Sequence, residues 1–266
     1  TSAGPVPTAD FGKPSPAFPT TSFIVEPGLA TNITLGWLRP WTQKADTIAL
    51  NQGRLVEIIA SRLINRRLEQ RARAGSSFLQ AEVQQDNIAR STDATMVSIV
   101  PIGEDWQLAL KDVRSVIADA LANAPTQSEI DREASEFNAI LDVQVETARA
   151  EASAKQADDL IEAVNIRETV ASPEVARDVF GGLKDKIRPA DVLKATQSLF
   201  SGIGPRVFIS SQSDQPDGAK LLAAAVKAPV AALATDRDQA AITFDQLPRI
   251  GAPGGVLSET RLKGVD

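Results

Sequence analysis

Two hydrophobic periods alternate along this chain. Ile33, Leu35 and Trp37 are apolar, with Asn32, Thr34 and Gly36 between them. That two-residue period predicts a strand with one buried face. Residues 22–25 have the same character, a Pro27-Gly28 turn separates the two strands, and Pro40 closes the second. From Asp46 the period changes to 3.6: Ile48, Leu55, Val56, Ile59, Ala60 and Leu63 fall on one side of a helix. Ile58, Ile64 and Leu68 lie on its other sides, so this helix is expected between two layers, and Gly75 stands where a helix commonly ends. Residues 78–85 and 94–102 are again strand-like, and the polar break 86–91 makes them a hairpin.

The second half reads as helices, then one strand and one more helix. Asp105 caps a helix through Leu121, with Trp106, Leu110, Val113 and Ile117 facing inward. Thr126-Gln127-Ser128-Glu129 has the spacing of a capping box. The helix it opens is expected to run to about Val164, with Ile130, Phe137, Leu141 and Val145 as its buried stripe. Ser172-Pro173-Glu174 opens a further helix that Gly181-Gly182 breaks, and Pro189 starts another through Leu199. Residues 206–210 form a strand, and 219–226 a last helix stopped by Pro229.

Adjacent strands early and grouped helices later predict an α+β fold: a mostly antiparallel sheet with helices packed on one face. The proline-rich stretch 1–21 reads as a linker, 22–228 as the folded domain, and 229–266 as a linker with the start of a following domain. There is no internal repeat. The chain begins without Met and looks cut from both sides, which is the expectation for a piece of a longer protein.

Composition narrows the chemistry. Among 266 residues, 28 Lys and Arg stand against 34 Asp and Glu, a net charge of −6. That balance argues against nucleic acid and anionic membranes as partners, and no apolar run is long enough for a membrane span. The chain has no Cys and no His. It therefore has no disulfide, no catalytic triad or Cys-His dyad, and no ordinary zinc site.

Asn65-Arg66-Arg67-Leu68 closes the long helix, and Ser76-Ser77-Phe78-Leu79-Gln80-Ala81, a Ser-x-Phe-Leu-x-Ala run, follows shortly after. This run resembles the pitrilysin/insulinase family of zinc metallopeptidases, in the non-catalytic domain that follows the zinc-binding one. Asp10-Phe11-Gly12-Lys13-Pro14 and the stretch from Glu26-Pro27-Gly28 to Leu35-Gly36-Trp37-Leu38-Arg39-Pro40 fit the same place, so the resemblance covers roughly residues 10–224. The family's zinc sequence is an inverted His-x-x-Glu-His motif on a helix, and its partner half brings an Arg/Tyr pair to the substrate. With neither His nor Tyr, this chain holds no complete set of either. The resemblance thus implies a bacterial chain, inactive alone, whose parent is a zinc metalloendopeptidase. It also implies zinc in an upstream domain, no cofactor in this chain, adjacent peptidase domains and a peptide substrate as partners, and a periplasmic location. The alternative is a zinc-less interaction or assembly module of the same fold, like respiratory-complex core subunits. A carboxylate-based hydrolase is a third reading.

Five features are candidates for chemistry. Asp158, Asp159 and Glu162 form an acidic group that reads first as a solvated helix face. Arg62, Arg66, Arg67, Arg71 and Arg73 form a basic strip, read as cations near a helix C-terminus that pair with Glu57, Glu69 and their neighbours. Gly202-Ile203-Gly204 and the glycines of 251–255 read as turns or linker, and Ser76 and Ser77 lack a partner spacing for nucleophilic work. The functional stretch is Phe78, Leu79, Gln80 and Ala81. By resemblance, the strand after the long helix helps hold the substrate's end. Physically, a sheet edge offers N–H and C=O groups to any extended peptide.

Overall fold

The computed structural model describes residues 10–165, 169–233 and 251. The described residues up to Leu233 belong to one compact unit, residues 1–235. Of the stretch 229–266, read as a linker with the start of a following domain, residues 234–250 and 252–266 lie outside the described residues.

The strands are β1 (Thr21–Val25), β2 (Asn32–Pro40), β3 (Phe78–Ile88), β4 (Thr92–Pro101) and β5 (Ile203–Ser211). The helices are α1 (Ile48–Arg73), α2 (Trp106–Ala122), α3 (Gln127–Thr147), α4 (Ser153–Asn165), α5 (Pro173–Gly181), α6 (Pro189–Leu199) and α7 (Gly218–Lys227). The five strands form one sheet in the order β1-β5-β2-β4-β3. Only the β1–β5 pair is parallel; β2–β5, β2–β4 and β3–β4 are antiparallel. The fold is therefore α+β with a mostly antiparallel sheet.

One sheet face carries the core. Ile33, Leu35 and Trp37 of β2 are buried with Val97 and Ile99 of β4 and with Val207 and Ile209 of β5. The alternate positions Thr34, Ser98, Gln80 and Gln84 are polar, as expected for an antiparallel sheet with one solvated face. The helices cover the buried face. α1 packs on β3 and against α6, α3 and α2, so it lies between layers as its many-sided apolar pattern predicts. Its core contact is made by Ile59, Ala60, Leu63, Ile64 and Leu68. Ile48, read as part of the core face, is 67% exposed, because the first turns of α1 run past the edge of the core.

Local chemistry sets the helix ends. Thr47 accepts the N–H of Leu50 at the start of α1, and Gly75 follows its end at φ +83°, a conformation a side chain resists. Asp105 accepts the N–H of Leu108, Thr126 and Glu129 form the capping box, and Ser172 caps α5 with Pro173 at its first turn. The expected single helix from 127 to about 164 is instead two. Leu141 is the last buried residue of α3, and the Thr147 hydroxyl donates to the Val143 carbonyl at 2.8 Å. Beyond Leu141 no core packing holds the axis straight, and such a side-chain bond competes with the helix ladder.

Gly202-Ile203-Gly204 is also not a free turn. Gly204 lies inside β5, where a Cβ would stand 2.7 Å from the Gly36 carbonyl oxygen. A Cβ on Gly202, at φ +92°, would stand 2.5 Å from that of Leu38. Glycine is what lets β5 close on β2 at this corner. The segment before β1 is tied to the same strand: the Arg206 guanidinium donates to the carbonyls of Ser15, Pro16, Phe18 and Pro19.

Candidate functional site

β3 is an edge strand, paired on one side with β4 alone. Phe78 and Val83 are both buried although they stand an odd number of residues apart, which a regular strand forbids. The register slips between Phe78 and Gln80, so Leu79 is the extra residue of a bulge. The bulge turns Leu79 outward, where it is 71% exposed.

The four candidate residues therefore lie together, in different settings. Phe78 is fully buried and belongs to the core. Leu79 and Gln80 are exposed and Ala81 is half-buried. All four line a groove of about 760 Å³ between the end of α1 and the edge of β3. Arg62, Asn65, Arg66, Glu69 and Arg73 form its helical wall, and Glu133 and Glu136 of α3 reach in from behind.

The backbone of this edge is not uniformly open. The Asn65 carboxamide donates to the Val83 carbonyl at 3.0 Å and accepts the Val83 N–H at 2.7 Å. Both Val83 groups therefore point away from β4. In an antiparallel ladder successive residues alternate in this respect, so those of Ala81 point outward too. Among the described residues no side chain takes the Ala81 groups. At the other end, the Ser76 hydroxyl donates to the Phe78 carbonyl at 3.1 Å and accepts its N–H at 3.4 Å. Asn65 and Ser76 thus bracket the open stretch. The sequence reading gave neither residue a role. A trace was present in the row Ser61, Asn65, Glu69: three polar residues one turn apart on a helix that is otherwise apolar on several sides.

The basic strip is a structural network rather than an anion site. Arg62 and Arg66 converge on Glu133, which is 2% exposed at its side chain, and on Glu136. Arg67 reaches Asp119 at 3.4 Å and Glu129 at 3.2 Å, and Arg71 reaches Asp112 at 3.2 Å. Only Arg73 pairs within its own helix, with Glu69 at 2.6 Å. The partners expected on α1 are mostly on α2 and α3, where paired carboxylates satisfy cations at a helix junction. The Arg66 guanidinium is held above its ordinary pKa by its bonds to Glu133 and Glu136, which outweigh the burial that opposes them.

In the acidic group, Asp159 pairs with Lys155 at 2.5 Å, and Lys155 also reaches Glu151 at 3.0 Å. The Glu162 side chain lies outside the described residues. Ser77 donates to Asp112 at 2.8 Å, which ties it to α2. No helix among the described residues is long and apolar enough to cross a membrane.

No family model matches the chain, and no curated protein matches it by sequence. Solved structures do. A predicted insulinase family protease from Yersinia pestis matches with a TM-score of 0.69 at 14% identity, over 85% of this chain and 49% of its own. The first half of the periplasmic protease PqqL from Escherichia coli matches with a TM-score of 0.64 at 14% identity, over 81% of this chain and 48% of its own. A peptidase M16 inactive domain from Pseudomonas fluorescens matches with a TM-score of 0.54 at 17% identity, over 80% and 48%. The chain thus spans about half the length of these relatives. At such identities the likeness speaks for the fold: in fold, the chain is an M16 peptidase-type domain.

Proposed function

We propose that this chain is the non-catalytic domain of a bacterial M16 zinc metallopeptidase, of the pitrilysin/insulinase type, and that it holds extended peptide for a zinc-bearing domain elsewhere in the same protein. The observation that carries the reading is the open stretch of β3 at residues 79–81. There an exposed Leu79 and an outward-facing Ala81 backbone line a groove large enough for a peptide segment. A guest strand adding to that edge gains main-chain hydrogen bonds whatever its sequence, which suits a peptidase that accepts many substrates. The chain carries no His and no Cys, so a hydrolytic zinc would have to be bound outside it. The fold shared with an M16 inactive domain and with half of a periplasmic protease supports the assignment and a periplasmic location.

Hydrolysis would be the work of a zinc-activated water on the neighbouring domain. This chain would restrain one segment of the substrate and lower the entropy cost of presenting another. The test is Ala81→Pro in the full-length peptidase. Proline removes an N–H that points away from β4, so the β3–β4 ladder stays intact while the guest loses a donor. The expected result is a several-fold rise in KM for peptides, with zinc content and kcat unchanged. Unchanged peptide kinetics would refute the role of this edge.

A further inference from the structure

We propose that Asn65 is a stop on the β3 edge: it limits a guest strand to the residues facing positions 79–82 and so fixes its register. The inference rests on the strand-addition reading above and adds the residue that sets the length of the site.

On α1, Ser61, Asn65 and Glu69 recur every four residues, a rise of ~6 Å. On β3, Gln85, Val83 and Ala81 recur every two residues, ~6.7 Å along an extended strand. The two rows run side by side in opposite directions, and their steps nearly match. Ser61 accepts from the Gln85 side chain at 3.0 Å, and Asn65 takes both backbone groups of Val83. Next in the row, Glu69 lies with Ala81 along the same groove, but its carboxylate is held by Arg73 at 2.6 Å instead. The helix therefore covers the strand edge at Val83 and releases it at Ala81.

Chemistry makes the Asn65 contact a block rather than a neighbour. A primary carboxamide carries a C=O acceptor and two N–H donors, and its C=O and the N–H on the same side can pair with the N–H and C=O of a single residue. Bound to the N–H and C=O of one residue, it occupies both positions that a guest strand would use there. Such caps on edge strands are a means of preventing open-ended pairing. Ser76 closes Phe78 in the same sense at the opposite end. What lies between takes a guest of about four residues, at one register, with the Ala81 backbone as its bridge.

The experiment uses the whole 266-residue chain, with backbone amide exchange and binding read together. The probes are two synthetic peptides of alternating Thr and Val with blocked ends, four and ten residues long. For the wild-type chain, both peptides are expected to protect the Ala81 amide and to bind within twofold of each other, and neither to protect Gln85 or Asn87. In Asn65→Ala the Val83 amide should exchange freely without peptide. The ten-residue peptide should then protect it and bind about tenfold more tightly, the worth of one or two net hydrogen bonds. The four-residue peptide should not change. If Asn65→Ala does not fold, Asn65→Ser replaces it, and the wild-type comparison stands without either. Protection of Gln85 in the wild type, a clear preference of the wild type for the longer peptide, or no gain in the variant would overturn the stop. Failure of both peptides to protect Ala81 in every form would instead refute strand addition itself, and the stop with it.

Discussion

Glu57 lies half-buried on α1, in a pocket shared with Arg39, Lys44 and Arg54. Burial pushes its carboxyl above the usual carboxylate value, and the attraction of those three cations only partly offsets this. The folded chain therefore holds this proton to a higher pH than the unfolded chain does. The group favours folding most at low pH, and that contribution fades as pH rises through the raised value. Glu57→Gln, which is never charged, is expected to raise the urea midpoint at pH 7 and to lose its advantage near pH ~4, where an ordinary Glu protonates. Equal gains at both pH values would show that burial of the charge is not the cause. Arg67, at 5% exposure, is held between Asp119 and Glu129, so its buried charge faces two carboxylates.

At the scale of elements, the capping box opening α3 has two duties. Glu129 accepts the Thr126 N–H at 2.8 Å and also receives Arg67 from α1. Thr126→Ala removes the hydroxyl that accepts the Glu129 N–H, and is expected to lower stability by about 1 kcal/mol, read as a fall in urea midpoint at constant slope. No change would mean that Glu129 alone secures the helix start. Caps of this kind were legible in the sequence because their chemistry is local: Asp105, Thr126 and Ser172 each act within three residues. So were the buried faces of β2 and α2. Less legible was the break between α3 and α4, where no Gly or Pro marks the end and the cause is core packing that stops at Leu141. The sheet order was not legible at all. β5 inserts between β1 and β2, a pairing more than 160 residues apart in sequence that no local pattern encodes. The candidate stretch 78–81 was found, but its limits were not. Those depend on Asn65 and Ser76 meeting a strand edge, and on a bulge that separates buried Phe78 from exposed Leu79.

At the scale of the molecule, the fold places one apolar sheet face under helices and leaves the other polar. It lets α1 cap one edge at Val83 and leave it open at Ala81. The chain has no His and no Cys, so in the function proposed above a hydrolytic zinc would be bound outside it. A gap that restrains an extended peptide is useful to a peptidase only when a zinc site lies within reach of the same substrate. The central claim is thus that this chain works as part of a longer zinc-bearing protein, in keeping with relatives of which it spans about half. The most direct measurement is the native mass and zinc content of the protein recovered from its source cells with an antibody against this chain. The account predicts a species several times heavier than 28.3 kDa that carries zinc. A species near 28.3 kDa without zinc would contradict it.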